Sequence, residues 1–124
     1  EGLVLPSGPP VVAELQPDSA ATKKPGLDLV KQYEAKHGAA TRNQFAGHSY
    51  DVSELMKRVV PIALKKGKPG TKEFRAAIRD ALESEKDIAA SHGVYNFTPA
   101  DHFGIDDRGR VMLTVKDGKW ELIK

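Results

Sequence analysis

The sequence contains no cysteine, which excludes a disulfide frame, a thiol nucleophile and a thiolate zinc site. That absence leaves the compartment open, since many secreted proteins also do without cysteine. No apolar run reaches the length of a membrane span, and the first residues carry no secretory pattern. Aromatic residues are only 6% of the chain, so a core has to be built from Ala, Val, Leu and Ile. Neither sign of charge dominates, with 19 Lys and Arg against 17 Asp and Glu. The longest basic stretch, Lys65-Lys66-Gly67-Lys68, lies among helix-end and turn residues. The chain therefore lacks the basic stripe of a nucleic-acid binder. What remains is one small folded domain, 40% hydrophobic over 124 residues.

Its residues are unevenly spread. Five of the eight prolines fall between residues 6 and 25, which reads as a linker or an irregular crossover. Leu3-Val4-Leu5 is a short strand candidate cut off by Pro6-Ser7-Gly8-Pro9-Pro10, leaving it free to pair elsewhere. A helix is predicted over Pro25 to His37, with Gly38 to end it. Arg42 to Ala46 reads as a short strand or extended loop delivering Phe45-Ala46-Gly47-His48-Ser49 to a second helix. Asp51 with Glu54 forms a capping-box pattern for that helix, and Tyr50 with Leu55 a hydrophobic staple. Val52, Leu55, Met56, Val59, Val60 and Ala63 form its apolar stripe, and Pro61 is placed to kink it. Thr71 caps a third amphipathic helix carrying Phe74, Ala77, Ile78, Ala81 and Leu82 on one face. Ile88 to His92 reads as a turn before a strand-like Val94-Tyr95-Asn96-Phe97. Asp117-Gly118 joins Val111–Lys116 to Lys119–Lys124 as a hairpin. One face of it carries Val111, Leu113, Val115, Trp120 and Leu122, and it needs cover.

The motifs of chemistry are mostly missing. The four histidines, at 37, 48, 92 and 102, lack the spacing that sets two ligands on one helix face, so no metal is expected. His37 and His92 both read as helix-end residues. No Gly-x-Ser-x-Gly, dinucleotide or phosphate-loop pattern occurs, and Asp51 with Glu54 is explained by capping. No cofactor and no catalytic residue is assigned. Phe45-Ala46-Gly47-His48-Ser49-Tyr50 stays open between a ligand-binding helix start and an ordinary loop. Thr98 to Asp106 reads as a structural turn, with Asp101 and His102 in local hydrogen bonds.

Several segments in order carry a resemblance. Gly2-Leu3-Val4-Leu5, the helix ending near Tyr33, Ser49-Tyr50-Asp51-Val52, Gly93-Val94-Tyr95-Asn96-Phe97-Thr98-Pro99-Ala100-Asp101-His102-Phe103-Gly104 and Asp117-Gly118-Lys119-Trp120 form that set. Together they resemble the C-terminal third of a type I periplasmic solute-binding protein of the branched-chain amino acid ABC-transporter group. The resemblance implies part of an α/β Venus-flytrap fold: three main helices, short strands and a C-terminal β-hairpin. It implies residues 1–10 as a hinge crossing, 11–92 as the helical part of a first lobe, and 93–124 as strand and hairpin returning to the second. It implies Phe45, Ala46, Gly47, His48 and Ser49 as ligand contacts, for an amino acid or another small organic, aromatic included, acid. A membrane permease would then be the partner, the periplasm the compartment, and no catalysis is implied. The alternative is a self-contained α+β dimerising interaction module or sensory module without a transport role. Expressed alone, the chain is expected to associate through the hairpin face into a homodimer or a larger assembly.

Overall fold

Asp117 and Gly118 both take positive φ, 50° and 71°, as a type I′ turn requires. That turn closes β4 (Val111–Lys116) onto β5 (Lys119–Ile123) in the computed structural model, which describes residues 1–123. Val115 lies opposite Trp120 and Leu113 opposite Leu122, as the two-residue turn predicts. The first strand is not free. β1 (Val4–Ser7) pairs antiparallel with the other edge of β4, Leu5 opposite Leu113, giving the order β1-β4-β5. Pro6 sits inside β1, which an edge strand tolerates because one side needs no donor.

The hairpin's apolar face is also less bare than its residues imply. Leu113 is 1% exposed, and Val111, Val115 and Leu122 are half-buried. A 3₁₀ segment, Pro9–Leu15, packs against β5. Trp120, 44% exposed, borders a hollow shared with its Val11, Val12 and Leu15. The proline-rich stretch is thus an ordered cover for the sheet.

α1 (Lys23–His37) carries Pro25 in its first turn and ends at Gly38, whose φ of 100° halts it. α3 (Lys72–Ser84) begins where expected, the Thr71 hydroxyl accepting the Phe74 N–H at 3.2 Å. It packs Ala77 and Ala81 against α2 (Gln44–Ala63).

α2 runs Gln44–Ala63 and corrects the expected boundary. Asn43 is its cap, with Oδ1 accepting the Ala46 N–H at 3.0 Å. Residues 44 to 49, expected as strand or loop, are therefore helical. Gly47, Asp51, Leu55, Val59 and Ala63, each four apart, are its buried positions. Val52 lies outside that row and is exposed, so it leaves the predicted stripe. Pro61 falls in the last turn, and the helix continues through it to Ala63. Glu54 pairs with Lys57 at 2.5 Å rather than completing a capping box.

Asp51 is the main correction. It lies deep in α2, 1% exposed, and faces a second, buried hairpin. There β2 (Ile88–Ala89) pairs with β3 (Val94–Tyr95), so a strand and tight turn replace the simple turn read from Ile88 to His92. Ala90, Ser91, His92 and Gly93 form the turn and are all buried. Asp51 accepts the N–H groups of Ser91 (2.7 Å) and His92 (2.8 Å), the Ser91 hydroxyl (2.5 Å) and the Tyr95 hydroxyl (2.8 Å). Burial, with the Asp51 carboxylate beside it, raises the Tyr95 phenol's pKa. Leu55, Ile88, Ala90 and Tyr95 form the core cluster around this contact. Asp51→Ala is expected to cost about 3 kcal/mol or more, well above a lost cap, and Tyr95→Phe about 1 kcal/mol. Urea unfolding reads both. An Asp51→Ala loss no larger than that of Tyr95→Phe would show that the buried turn does not depend on the carboxylate.

Candidate functional site

The buried turn brings His92 to the middle of the molecule. The residue is 4% exposed, and neither ring nitrogen has a hydrogen-bond partner among the described residues. Two glycines explain how it fits. A Cβ on Gly8, just after β1, would stand 2.3 Å from His92 Nε2, and one on Gly47 of α2 would stand 2.6 Å from Nδ1. Only bare backbone fits against the ring edge at both places. Gly8 has an ordinary φ of −73°, so its role there is space and not backbone freedom. His92 is thus no helix-end residue: the turn's N–H bond to Asp51 holds it inward.

His48 lies flat on His92, ring centroids 3.7 Å apart and planes 21° apart. Unlike His92 it is exposed. Gln44, one turn earlier on the same side of α2, joins it on the wall of a cleft of about 390 Å³. Pro6, Ser7 and Gly8 of the first strand and its exit line another side. Phe103, Ile105, Asp106, Asp107, Gly109 and Arg110 supply the third. Asp101 accepts the Phe103 N–H at 2.8 Å, the local turn bond expected of it, and Phe103 stands 74% exposed at the cleft. His102 reaches further than a local bond, to Glu83 of α3 at 2.9 Å.

The charges of the cleft are largely paired off. Asp106 bonds Arg108, which holds its carboxyl down at about 2. Arg110 is engaged by Asp107. His92 is held neutral: burial first, then its neighbour His48, push its pKa down to about 4 against the opposing pull of Asp51. The His48 ring makes no hydrogen bond among the described residues and faces the cleft.

The five residues singled out in the sequence are divided by the helix they turn out to occupy. His48 lines the cleft and Gly47 lies beneath it, sealed against His92 and Pro10. Phe45, Ala46 and Ser49 point the other way, into a hollow between α1 and α2 with Tyr33, His37 and Tyr50. There Tyr33 and His37 rings lie 4.5 Å apart, and burial with Glu54 nearby pushes the Tyr50 phenol up to about 12. His92, Gln44, Phe103 and Arg110 were missed as cleft residues. The one local signal was Ser91-His92-Gly93 between two apolar runs, which marks a turn but not its burial.

Neither a protein-family model nor a curated protein matches the chain. Solved structures do. An extracellular ligand-binding receptor from Rhodopseudomonas palustris is 60% identical with a TM-score of 0.94, over 100% of this chain and 34% of that one. This chain's homologues among solved structures are extracellular ligand-binding receptors. A second, from Rhodopseudomonas palustris HaA2, is 58% identical with a TM-score of 0.94, over 100% of this chain and 35% of that one. Another from the same strain is 37% identical with a TM-score of 0.86, over 99% of this chain and 34% of that one. The chain thus spans about a third of the length of the receptors it matches, and its mixed α/β fold is part of theirs. Each of these neighbours is described as a ligand-binding receptor. No helix among the described residues is long and apolar enough to cross a membrane.

The buried imidazole makes stability depend on pH. The unfolded chain takes up a proton near the ordinary histidine value of 6.5, while folded His92 resists it down to about 4. Stability is therefore full above about pH 6.5 and falls as pH drops toward 4, by about 2–3 kcal/mol from this group. His92→Gln should remove that part of the slope in urea unfolding at a series of pH values. An unchanged slope would show that His92 is not the group.

Proposed function

We propose that this chain supplies one wall of a cleft that binds a small organic acid, an amino acid or an aromatic acid, for uptake. The solute would pass to the membrane permease of an ABC transporter of the branched-chain amino acid type, with the receptor in the periplasm. On this reading residues 1–10 are a hinge crossing, 11–92 the helical part of a first lobe, and 93–124 the strand and hairpin leading to the second. Closure would follow from population shift, because a ligand touching both lobes favours the state in which they approach. The observation that supports the reading best is where the cleft lies. It opens beside β1 and is lined by an unengaged His48, the Gln44 amide and an exposed Phe103. An imidazole donates to a carboxylate, and a phenyl ring offers a face to an apolar or aromatic body.

The test uses a receptor of full relative length carrying this segment, with leucine, valine, phenylalanine and benzoate as probes. At least one acid should raise the melting temperature, as binding to the folded state alone requires. His48→Ala should weaken that acid about tenfold or more in calorimetry, the worth of a charge-assisted hydrogen bond, with stability nearly unchanged. Equal affinity would remove His48 from the site.

A further inference from the structure

We propose that His48 and His92 act together as a one-proton anion receptor: when a carboxylate enters the cleft the pair takes up one proton from solvent, and the charge sits on the outer ring of His48. The proposal rests on the cleft being the binding site and adds how that site recognises charge.

The geometry allows one cation and not two. The rings are stacked at 3.7 Å, where two imidazolium charges would repel strongly. One imidazolium over a neutral ring is instead held by the π face beneath it. The inner ring is the one that cannot be charged. Both His92 nitrogens lie buried against Gly8 and Gly47, where a Cβ has no room, and neither has a hydrogen-bond partner among the described residues. The His92 N–H bond to Asp51 fixes the residue, so its ring stays under His48. Burial and His48 together keep it neutral.

The surrounding charges leave His48 as the group that answers to a ligand. From α2, Asp51 is committed to four donors of the buried hairpin. From β3, Tyr95 gives its hydroxyl to that same carboxylate. From the loop before β4, Asp106 is tied to Arg108, and Asp107 to Arg110. The β1 exit contributes only Pro6, Ser7 and Gly8. Among the described residues a bound carboxylate thus meets a single open cation site, and its affinity should follow the protonation of that site.

Histidine ring-nitrogen NMR of a receptor of full relative length carrying this segment, titrated downward from about pH 8 to about pH 5, reads the pair without any ligand. His92 should keep the neutral-ring signature throughout while His48 changes to the imidazolium one. Imidazolium on His92 in this range overturns the proposal. The second arm adds benzoate, or benzamide at matched ionic strength, which share a ring and differ in charge. Benzoate should shift the His48 midpoint upward and benzamide should not. Benzoate affinity should fall about tenfold for each pH unit above that midpoint, as uptake of one proton demands. His48→Gln, a change at an exposed position, should flatten this dependence. Benzoate perturbing the cleft without moving the His48 midpoint overturns the receptor while leaving the cleft as a binding site. No perturbation of any cleft residue by either compound overturns both.

Discussion

A hairpin turn buried in a core needs somewhere to put its N–H groups, and in this chain that place is one carboxylate. Turns normally run over the surface because water satisfies their backbone. The β2–β3 turn is covered on all sides, and Asp51 takes two of its N–H groups and two hydroxyls. A carboxylate has about four acceptor positions and no donor, so it can serve all four groups at once, whereas an amide brings two donors into the same space. The cost of desolvating a charge is offset by that full set of partners. Everything near the site takes its position from this contact. It sets the rotation of α2 about its axis, and with it which residues a turn away face inward.

One turn before Asp51 the inward residue is Gly47, and the residue after it is His48. The turn that Asp51 holds carries His92. Gly47, His48 and His92 are therefore brought together by a single bonded contact, although 44 residues separate Gly47 from Ser91, whose hydroxyl it meets. Gly8 closes the arrangement from the first strand. Three stretches far apart in sequence converge on one imidazole, and at two of them the contact admits only glycine. A Cβ at either position would have to displace a ring fixed by its own backbone, and dense interiors yield little to such pressure.

Local signals were readable and long-range ones were not. The C-terminal hairpin followed from Asp117-Gly118, α3 from Thr71 and its apolar spacing, and the end of α1 from Gly38. Each of these rests on neighbours within a few residues. The start of α2 was misplaced because Asp51-x-x-Glu54 imitates a capping box and Phe45 to Ser49 mixes glycine, aromatic and polar residues as a loop does. The true cap, Asn43, was present but less conspicuous. β2 and β3 have two residues each, too short for any alternation to register. Of the candidate site, His48 was legible as a polar ring beside a glycine near a helix start. His92 was not, because its burial depends on Asp51 and on two distant glycines. Phe45 and Ser49 were assigned with His48 on the premise of a loop, where neighbours can share a surface. On a helix Ser49 lies about 100° and Phe45 about 60° round from His48, both to the same side, and that rotation sends them into a different hollow.

The same logic explains why the cleft lies where it does. β1 leads directly into the 3₁₀ segment that covers the sheet, and Gly8 stands between the two. Because β1 is hydrogen-bonded along β4, the entry to the helical region and the exit from it are joined as neighbouring strands. His92 touches that junction from within, through Gly8, and touches α2 through Gly47. A group bound against His48 therefore rests on a floor whose parts are the strand junction and the long helix. Movement of β1 relative to α2 would have to separate Gly8 and Gly47 from the two edges of one ring. The cleft floor is built on that shared ring, and its wall is the face of the stack left open to solvent.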